Sequence, residues 1–421
     1  MSEERTRPAG AGTAPWARPE RAGGAAGHHP SRRLAGVDAA RGLALVGMIA
    51  VHTLPWFDED TGEPTLSWVL FGGHSSALFV TLAGVSLAFT TGGRTPHTGR
   101  RRTASRWAQV ARAGLIALVG FLLGFLVIPF DNILVYYGVF FLLAIPFLGL
   151  RIRHLLLSAA LFALLAPVLM LWALDHLPVN DYGNPSLLEL VTEPGSVLAH
   201  LLLTGSYPAL PWMTFVCSGI AIGRMDLTDR RVQAGLAAVG AVLAGAAWAV
   251  STLALRLGGQ AAIVAATPWM SAEEIADVVV FGPDATLPTA TPWWLLMPGP
   301  HSHTPFALAL SLGVAVCVLG LFLLLPRAVD RVLTPLTAMG SMTFTLYVIH
   351  LLVMWLELFW DDPHPWFWGQ VLAFALLAVL WQRSLGQGPL EKMVSRSTKA
   401  IARRVLARGP DDSTPAAPPL R

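Results

Sequence analysis

Along this chain, apolar residues come in blocks of about twenty, the length that crosses a hydrocarbon core as a helix. Short polar stretches separate the blocks. Within a block such as Ala113–Phe130 every side is apolar. A soluble amphipathic helix would keep one polar face, and the strands of a membrane barrel would alternate apolar and polar positions. Neither pattern is present. The blocks fall near 36–56, 66–90, 112–130, 132–150, 154–175, 208–224, 232–256, 305–326, 336–358 and 366–384. They predict an all-α, polytopic transmembrane helical bundle of about ten helices.

The flanks read differently. Residues 1–33 are rich in Gly, Ala, Pro and Arg with no apolar period, so they are expected to form a disordered tail. They carry no short apolar core ending in a small-residue cleavage site, so they do not read as a signal peptide. Residues 34–385 form the membrane domain. Residues 386–421 are basic, then rich in Pro and Asp, and are expected to be largely disordered. Two connecting segments are long, at 176–207 and 257–304, and neither looks like a separate domain. Leu187–Leu203 is expected to be an interfacial or re-entrant helix, and Trp293 and Trp294 suit an interfacial aromatic belt.

Composition agrees with the blocks: 54% of residues are hydrophobic and 13% charged, against about 25% charged in soluble domains. The placement of the charges says more than their sum. Arg94, Arg100, Arg101, Arg102, Arg106 and Arg112 fill one loop; Arg151 and Arg153, then Arg224, Arg230 and Arg231, then Arg327 and Arg331 fill alternate later ones. Of 29 Lys and Arg residues, only Arg41 and Arg256 depart from this alternation. Under the positive-inside rule both termini are cytoplasmic. The opposite loops are acidic, with Asp58, Glu59, Asp60 and Glu63 in the first, and Asp181 and Asp361 among those in later ones. The expected location is the cell membrane, spanned many times. Cys217 and Cys317 lie inside apolar blocks and read as packing residues rather than a disulfide or metal pair.

Ionisable groups inside spans are costly and therefore candidates for function. In the first block Asp38 and Arg41 are three residues apart, neighbours on one helix face. Arg41 and His52 are eleven apart, roughly 16 Å along the axis and pointing the same way. A plain structural role, with Arg41 snorkelling beside Asp38 and His52 bonded to a neighbouring helix, competes with a functional one. His74 with Ser75 and Ser76, then Tyr347 and His350, lie at similar depth in the second and ninth blocks, and Asp131 sits in a short outer turn. Three histidines from three helices at one level predict a polar cavity opening outward. Histidine suits general-base chemistry near neutral pH. A metal held by His52, His74 and His350 is a weaker reading, because no HExxH-type spacing supports it, and no metal is expected. No phosphate-cradling glycine loop and no nucleic-acid signal is present. The basic segment 94–112 fits topology setting, or attraction of an anionic cofactor or headgroup.

The segment Arg33-Leu-Ala-Gly-Val-Asp38-Ala-Ala-Arg41-Gly resembles the start of heparan-α-glucosaminide N-acetyltransferase and its bacterial, YeiB-like relatives. Further segments are similar to that bacterial branch: Gly73-His74-Ser75-Ser76-Ala77-Leu78-Phe79 through Ser86, Tyr207-Pro-Ala-Leu-Pro-Trp212, Pro300-His301-Ser302-His303-Thr304-Pro305, Met339 through His350, and Gly388-Pro389-Leu390-Glu391. Together they span about residues 32–395. The spacing of Arg41 and His52 is also similar to a first-helix motif of integral-membrane O-acyltransferases.

The resemblance implies transfer of an acyl group, acetyl above all, from cytoplasmic acetyl-CoA or another acyl-CoA to an extracytoplasmic sugar or glycan amine or hydroxyl. Arg41, with Asp38, would meet the donor from inside. The animal enzyme carries its active histidine in the first outer loop, but Thr53–Thr65 here contains none, so His52 and His74 are the candidate bases. His350, Asp131 and Tyr347 would orient the acceptor. The bilayer is the obligatory partner, and a homodimer is compatible with the sequence. The rival readings are a transporter or exporter using the same cavity and a sensor of external pH.

Overall fold

The computed structural model describes residues 32–177, 183–284, 286–357 and 362–407, with the side chains of 32–34 and 327 excepted. The expected tail over 1–31, the end of the chain over 408–421, and Asp181 and Asp361 lie outside the described residues. What is described is all-helical apart from one isolated antiparallel bridge, Phe57 to Pro64.

Each predicted block corresponds to helix. The first is α1 (Arg32–Thr53). The second is shared by α2 (Leu66–Phe71) and α3 (His74–Thr90), which part at Gly73, where φ is 67°. Then come α4 (Gly99–Leu123), α5 (Leu134–Ala144), whose 3-10 extension Ile145–Gly149 contains Pro146, and α6 (Ile152–His176). The next connection folds into two short helices, α7 (Leu187–Thr192) and α8 (Pro194–Ala199), ending in a π turn at His200–Thr204. The sixth block is α9 (Ala209–Gly223) and the seventh is α10 (Arg230–Ala254). The helical path continues past Gly258, at φ 126°, into α11 (Gln260–Ala266), and α12 (Ala272–Phe281) follows. The chain then crosses as α13 (Pro305–Leu324), breaks between α14 (Thr334–Ser341) and α15 (Thr343–Trp355), and finishes with α16 (Pro363–Ser384) and α17 (Pro389–Ala407). Among the described residues, seven helical segments are individually long and apolar enough to cross a membrane, and the pair α14 and α15, bent by 86°, makes an eighth. The blocks at 132–150 and 208–224 form shorter apolar helices.

Burial separates two kinds of helix. On α6, α10 and α16 large apolar side chains face outward, Leu157, Leu165, Val242, Trp248, Leu372 and Leu376 among them. In water this would be ruinous; against lipid tails it costs nothing. By contrast α3 and α9 are buried almost throughout and pack on each other through Gly84 and Gly219. α1 lies between α3 and α14. There Gly42 and Gly340 bring two backbones together, since a Cβ on either would meet backbone atoms of the partner helix. Small residues at such crossings let helices gain dispersion contact where no hydrophobic driving force exists.

Two expectations change. Trp294 is not an interfacial belt residue: it is fully buried in a small cluster with Leu255, Ile263, Ile275 and Met297, formed over the long 257–304 connection, while Trp293 stays exposed. Trp294 thus belongs to a small apolar cap, separate from the main core of the bundle. Within 386–421, residues 389–407 are not structureless but form α17, which packs along α4. The helix α4 in turn begins at Gly99, so most of the arginines assigned to a loop ride on a helix that projects past its apolar half.

The register of α17 is fixed by Glu391. Its carboxylate accepts from the Thr345 backbone N–H at 3.0 Å and from the Thr345 hydroxyl at 2.6 Å. The first amides of a helix have no intrahelical acceptor, so Glu391 satisfies the start of α15 after the break. Glu391→Ala is expected to destabilise the protein by about 1–3 kcal/mol, the usual range for a lost charge-assisted bond. A lowered melting temperature in detergent, partly restored by Glu391→Gln, checks this.

Candidate functional site

The break between α14 and α15 positions the first part of the site. A bent helix leaves carbonyls without intrahelical donors. Arg41 on α1 donates to one of these, Gly340 O, at 3.3 Å, and to Ser86 Oγ on α3 at 2.9 Å. Its third partner is the one expected from spacing: Asp38 Oδ1 at 2.5 Å. Asp38 and Arg41 are therefore a real ion pair, and Arg41 also ties three helices together. Two groups beside it remain unsatisfied among the described residues. Arg112 lies close enough to repel Arg41, and its Nε has no partner; nor has the buried Tyr137 hydroxyl, which also feels the Arg41 charge.

Eleven residues further along α1, His52 meets α15. Its Nδ1 is 2.9 Å from His350 Nε2, and the two rings stack with centroids 5.2 Å apart. Phe130 stacks on His52 at 4.3 Å. His350 Nδ1 is in turn 2.9 Å from Gln370 Oε1 on α16. The chain of acceptors sets the tautomers. With Gln370 Oε1 accepting from His350 Nδ1–H, the neutral His350 carries its lone pair on Nε2 and accepts from His52 Nδ1–H. His52 then keeps a lone pair on Nε2. His350 and Gln370 are buried, whereas His52 retains partial exposure. Three helices thus hold one imidazole whose Nε2 meets no hydrogen-bond partner among the described residues.

His74, at the start of α3, bonds through Nδ1 to Ser311 Oγ on α13 at 3.1 Å and not to His52 or His350. The residue joining the two halves is His301, which the sequence shows only as one letter of a motif. It stands close enough to His52 and to His74 for a charge on it to act on either. Asp131, in the turn after α4, acts on His301, Tyr207 and Tyr347 in the same way. Tyr347 accepts from the Ile133 N–H at 3.4 Å. The predicted residues His52, His350, Asp131 and Tyr347 are therefore gathered in one neighbourhood, with His74 linked to it through His301.

How the 300–305 segment reaches this place explains its composition. Pro300 is pressed between Gly73 and Gly282: a Cβ on Gly282 would run into the Pro300 carbonyl oxygen, and one on Gly73 would crowd the Pro300 ring. His301 and His303 both adopt left-handed backbones, at φ 54° and 55°, a conformation that costs a non-glycine residue on the order of 1 kcal/mol or more. Packing from the cap and a bond from Trp212 Nε1–H to His303 Nδ1 at 3.1 Å hold them there. Trp212 belongs to the Tyr207–Trp212 motif, so three short motifs distant in sequence meet around one strained loop. Among the described residues, small voids of about 20 and about 10 Å³ flank His301 and His303, each about the size of a water molecule. Among the described residues no three His, Cys, Asp or Glu side chains converge as a metal set.

A scan of family models matches residues 33–250 to the heparan-α-glucosaminide N-acetyltransferase catalytic domain. The match covers more than half the chain and contains Arg41, His52, His74 and Asp131. The chain belongs to the heparan-α-glucosaminide N-acetyltransferase catalytic family. No curated protein matches it. His301, Tyr347, His350 and Gln370 lie beyond the matched residues, so the match includes α1, its ion pair and Phe130, while the second half of the chain supplies the hydrogen-bond partner of His52.

His301 lies in the loop leading into α13, outside the spanning helices. Its surroundings push the imidazole below its ordinary range, chiefly by burial, with the Asp131 charge and a hydrogen bond to the Ser206 backbone opposing that shift. A lowered folded value means that the unfolded chain takes up more protons once pH falls below the unfolded value of about 6.5. Stability contributed by the neutral ring is present above that pH and lost as pH falls toward the folded value. The melting temperature is expected to drop between pH 7 and pH 5, and less steeply in His301→Gln.

Proposed function

We propose that this protein is a transmembrane acyltransferase that takes an acetyl or related acyl group from cytoplasmic acyl-CoA and delivers it to an extracytoplasmic sugar or glycan amine or hydroxyl. The observation that carries this reading is the relay from Gln370 through His350 to His52, which leaves a basic imidazole nitrogen at a partly exposed position. His52 Nε2 would remove a proton from the acceptor as its nitrogen or oxygen attacks the thioester carbonyl. The carbon–sulfur bond then breaks, CoA leaves as the thiolate, and the proton held on His52 is passed to bulk water or to the leaving sulfur. His350 would stabilise the transient imidazolium, and Asp131 and Tyr347 would orient the acceptor beside His301. Arg41 and Asp38 lie about three helical turns away, toward the end of the bundle that the distribution of arginines assigns to the cytoplasm. Both termini would lie on that side, in the cell membrane.

The test is transfer of label from acetyl-CoA to membrane glycans in inverted vesicles. Label on the lumenal face, dependent on donor supplied outside the vesicle, is expected; no label in either vesicle orientation would overturn the reading. One observation favours a second reading, export of a small molecule: the 86° break between α14 and α15 is the kind of discontinuity transporters use at their binding sites. Donor-independent flux of a candidate substrate into proteoliposomes would select it.

A further inference from the structure

The helix that composition concealed creates a second site. Between α4 and α17 lies a cavity of about 460 Å³, within the range that holds cofactor-sized ligands. Arg101, Arg112 and Lys399 line it, with His97 at its edge and, among the described residues, no carboxylate on its wall. Arg101 and Arg112 are eleven residues apart on α4, roughly 16 Å along its axis, so they mark two ends of the cavity, and a cation there without a counter-charge has lost hydration. The ion pair near that end of α4, Arg94 with Asp226, leaves these three untouched. Two buried atoms on the wall also want partners. Arg112 Nε has none among the described residues, and Gln109, only 3% exposed, donates to Thr90 Oγ1 at 3.3 Å while its Oε1 is unpaired. The first is a donor suited to an anionic oxygen. The second is an acceptor suited to a ligand hydroxyl or amino group. The cavity is built by the fold: Arg100 bonds the Val405 carbonyl across it at 3.3 Å, and Glu391 anchors α17 at its other end.

We propose that this cavity binds a phosphate-bearing ligand, with Arg101, Arg112 and Lys399 on the phosphate oxygens and Gln109 on a neighbouring hydroxyl or amino group. Half of the site, α17, lies outside the residues matched to the family. Phosphate of this kind has two sources at such a position, the nucleotide end of CoA and the headgroup of an anionic lipid. Assigning it to CoA rests on the acyltransferase reading. In that case Arg112 joins the cavity to Arg41, and the donor would lie with its phosphates against α17 and its thioester directed along α1.

The experiment measures CoA binding by calorimetry to the full chain in phosphatidylcholine nanodiscs. Two variants remove the site by different means: the triple change Arg101→Gln, Arg112→Gln, Lys399→Gln, and the cavity-filling Ala402→Phe, which alters no charge. Wild-type protein is expected to bind CoA, and His52→Ala to bind it equally well, which separates this site from the chemistry at His52. Both cavity variants should bind about 10- to 100-fold more weakly. If CoA does not bind but phosphatidylglycerol raises the melting temperature of wild type and not of the variants, the phosphate site stands and its ligand is lipid. Wild-type behaviour of both variants toward both ligands, or no response of wild type to either, overturns it.

Discussion

His52→Ala is expected to reduce acyl transfer about 10²- to 10⁴-fold, the range for loss of a positioned general base, with the protein still folded. His52 is partly exposed and lies at the end of α1, so truncation costs the Phe130 stack and the His350 bond without emptying a fully buried site. The loss should fall on kcat rather than KM, because in the proposed mechanism the ring acts on the proton in flight and not on donor binding. His350→Gln and Gln370→Leu provide the contrast. Each leaves a base at His52 but releases its tautomer, so each should cost less than His52→Ala, and the two together should cost little more than either alone. A cycle of single and double variants, assayed by label transfer in vesicles, checks the coupling. Full activity in His52→Ala would move the base to His74 or His301, the two other partly exposed imidazoles of the cluster.

Gly340→Leu is expected to abolish the folded state. A Cβ at this position would be driven into the Asp38 carbonyl oxygen, and the facing Gly42 has the same relation to Leu336. Both obstacles are backbone atoms, which cannot rotate aside as a side chain would. Overpacking of this sort costs upward of about 3 kcal/mol, a large share of the stability of an ordinary domain. The change would also push α14 from α1, taking with it the carbonyl that Arg41 uses and the pair with Asp38. The matched control is Gly114→Ala on α4, where nothing lies within 4 Å of the added Cβ; it should be neutral. Monodispersity and melting temperature in detergent read both, and a well-folded Gly340→Leu protein would show that the α1–α14 crossing tolerates separation.

Part of the candidate site is legible in the amino-acid sequence. Arg41 and Asp38 follow from helical spacing, and the cost of ionisable groups in hydrocarbon marks His52, His74 and His350. Gln370 carries a weaker version of the same signal, an amide in the first half of an apolar span, which does not stand out because amides are tolerated between membrane helices. His301 carries none that periodicity can read, since it sits in a long connection whose path depends on the cap around Trp294. The helix α17 is hidden for another reason. Its polarity and basic charge match a solvated tail and mask the helical spacing of Leu390, Val394, Ile401 and Val405, an amphipathic signal that the sequence does carry.

The sequence by itself determined that the chain is a helical membrane protein, where its apolar blocks lie and how its charges are distributed between loops. Those properties depend on local transfer free energies, which each segment carries wherever it ends up. Tertiary structure alone decided that His52 meets His350, that a strained loop brings His301 between two helices, and that α4 and α17 enclose a cationic cavity. These depend on which helices touch, and that is set by contacts between segments far apart in sequence, the crossing of Gly42 and Gly340 among them, which no local pattern records.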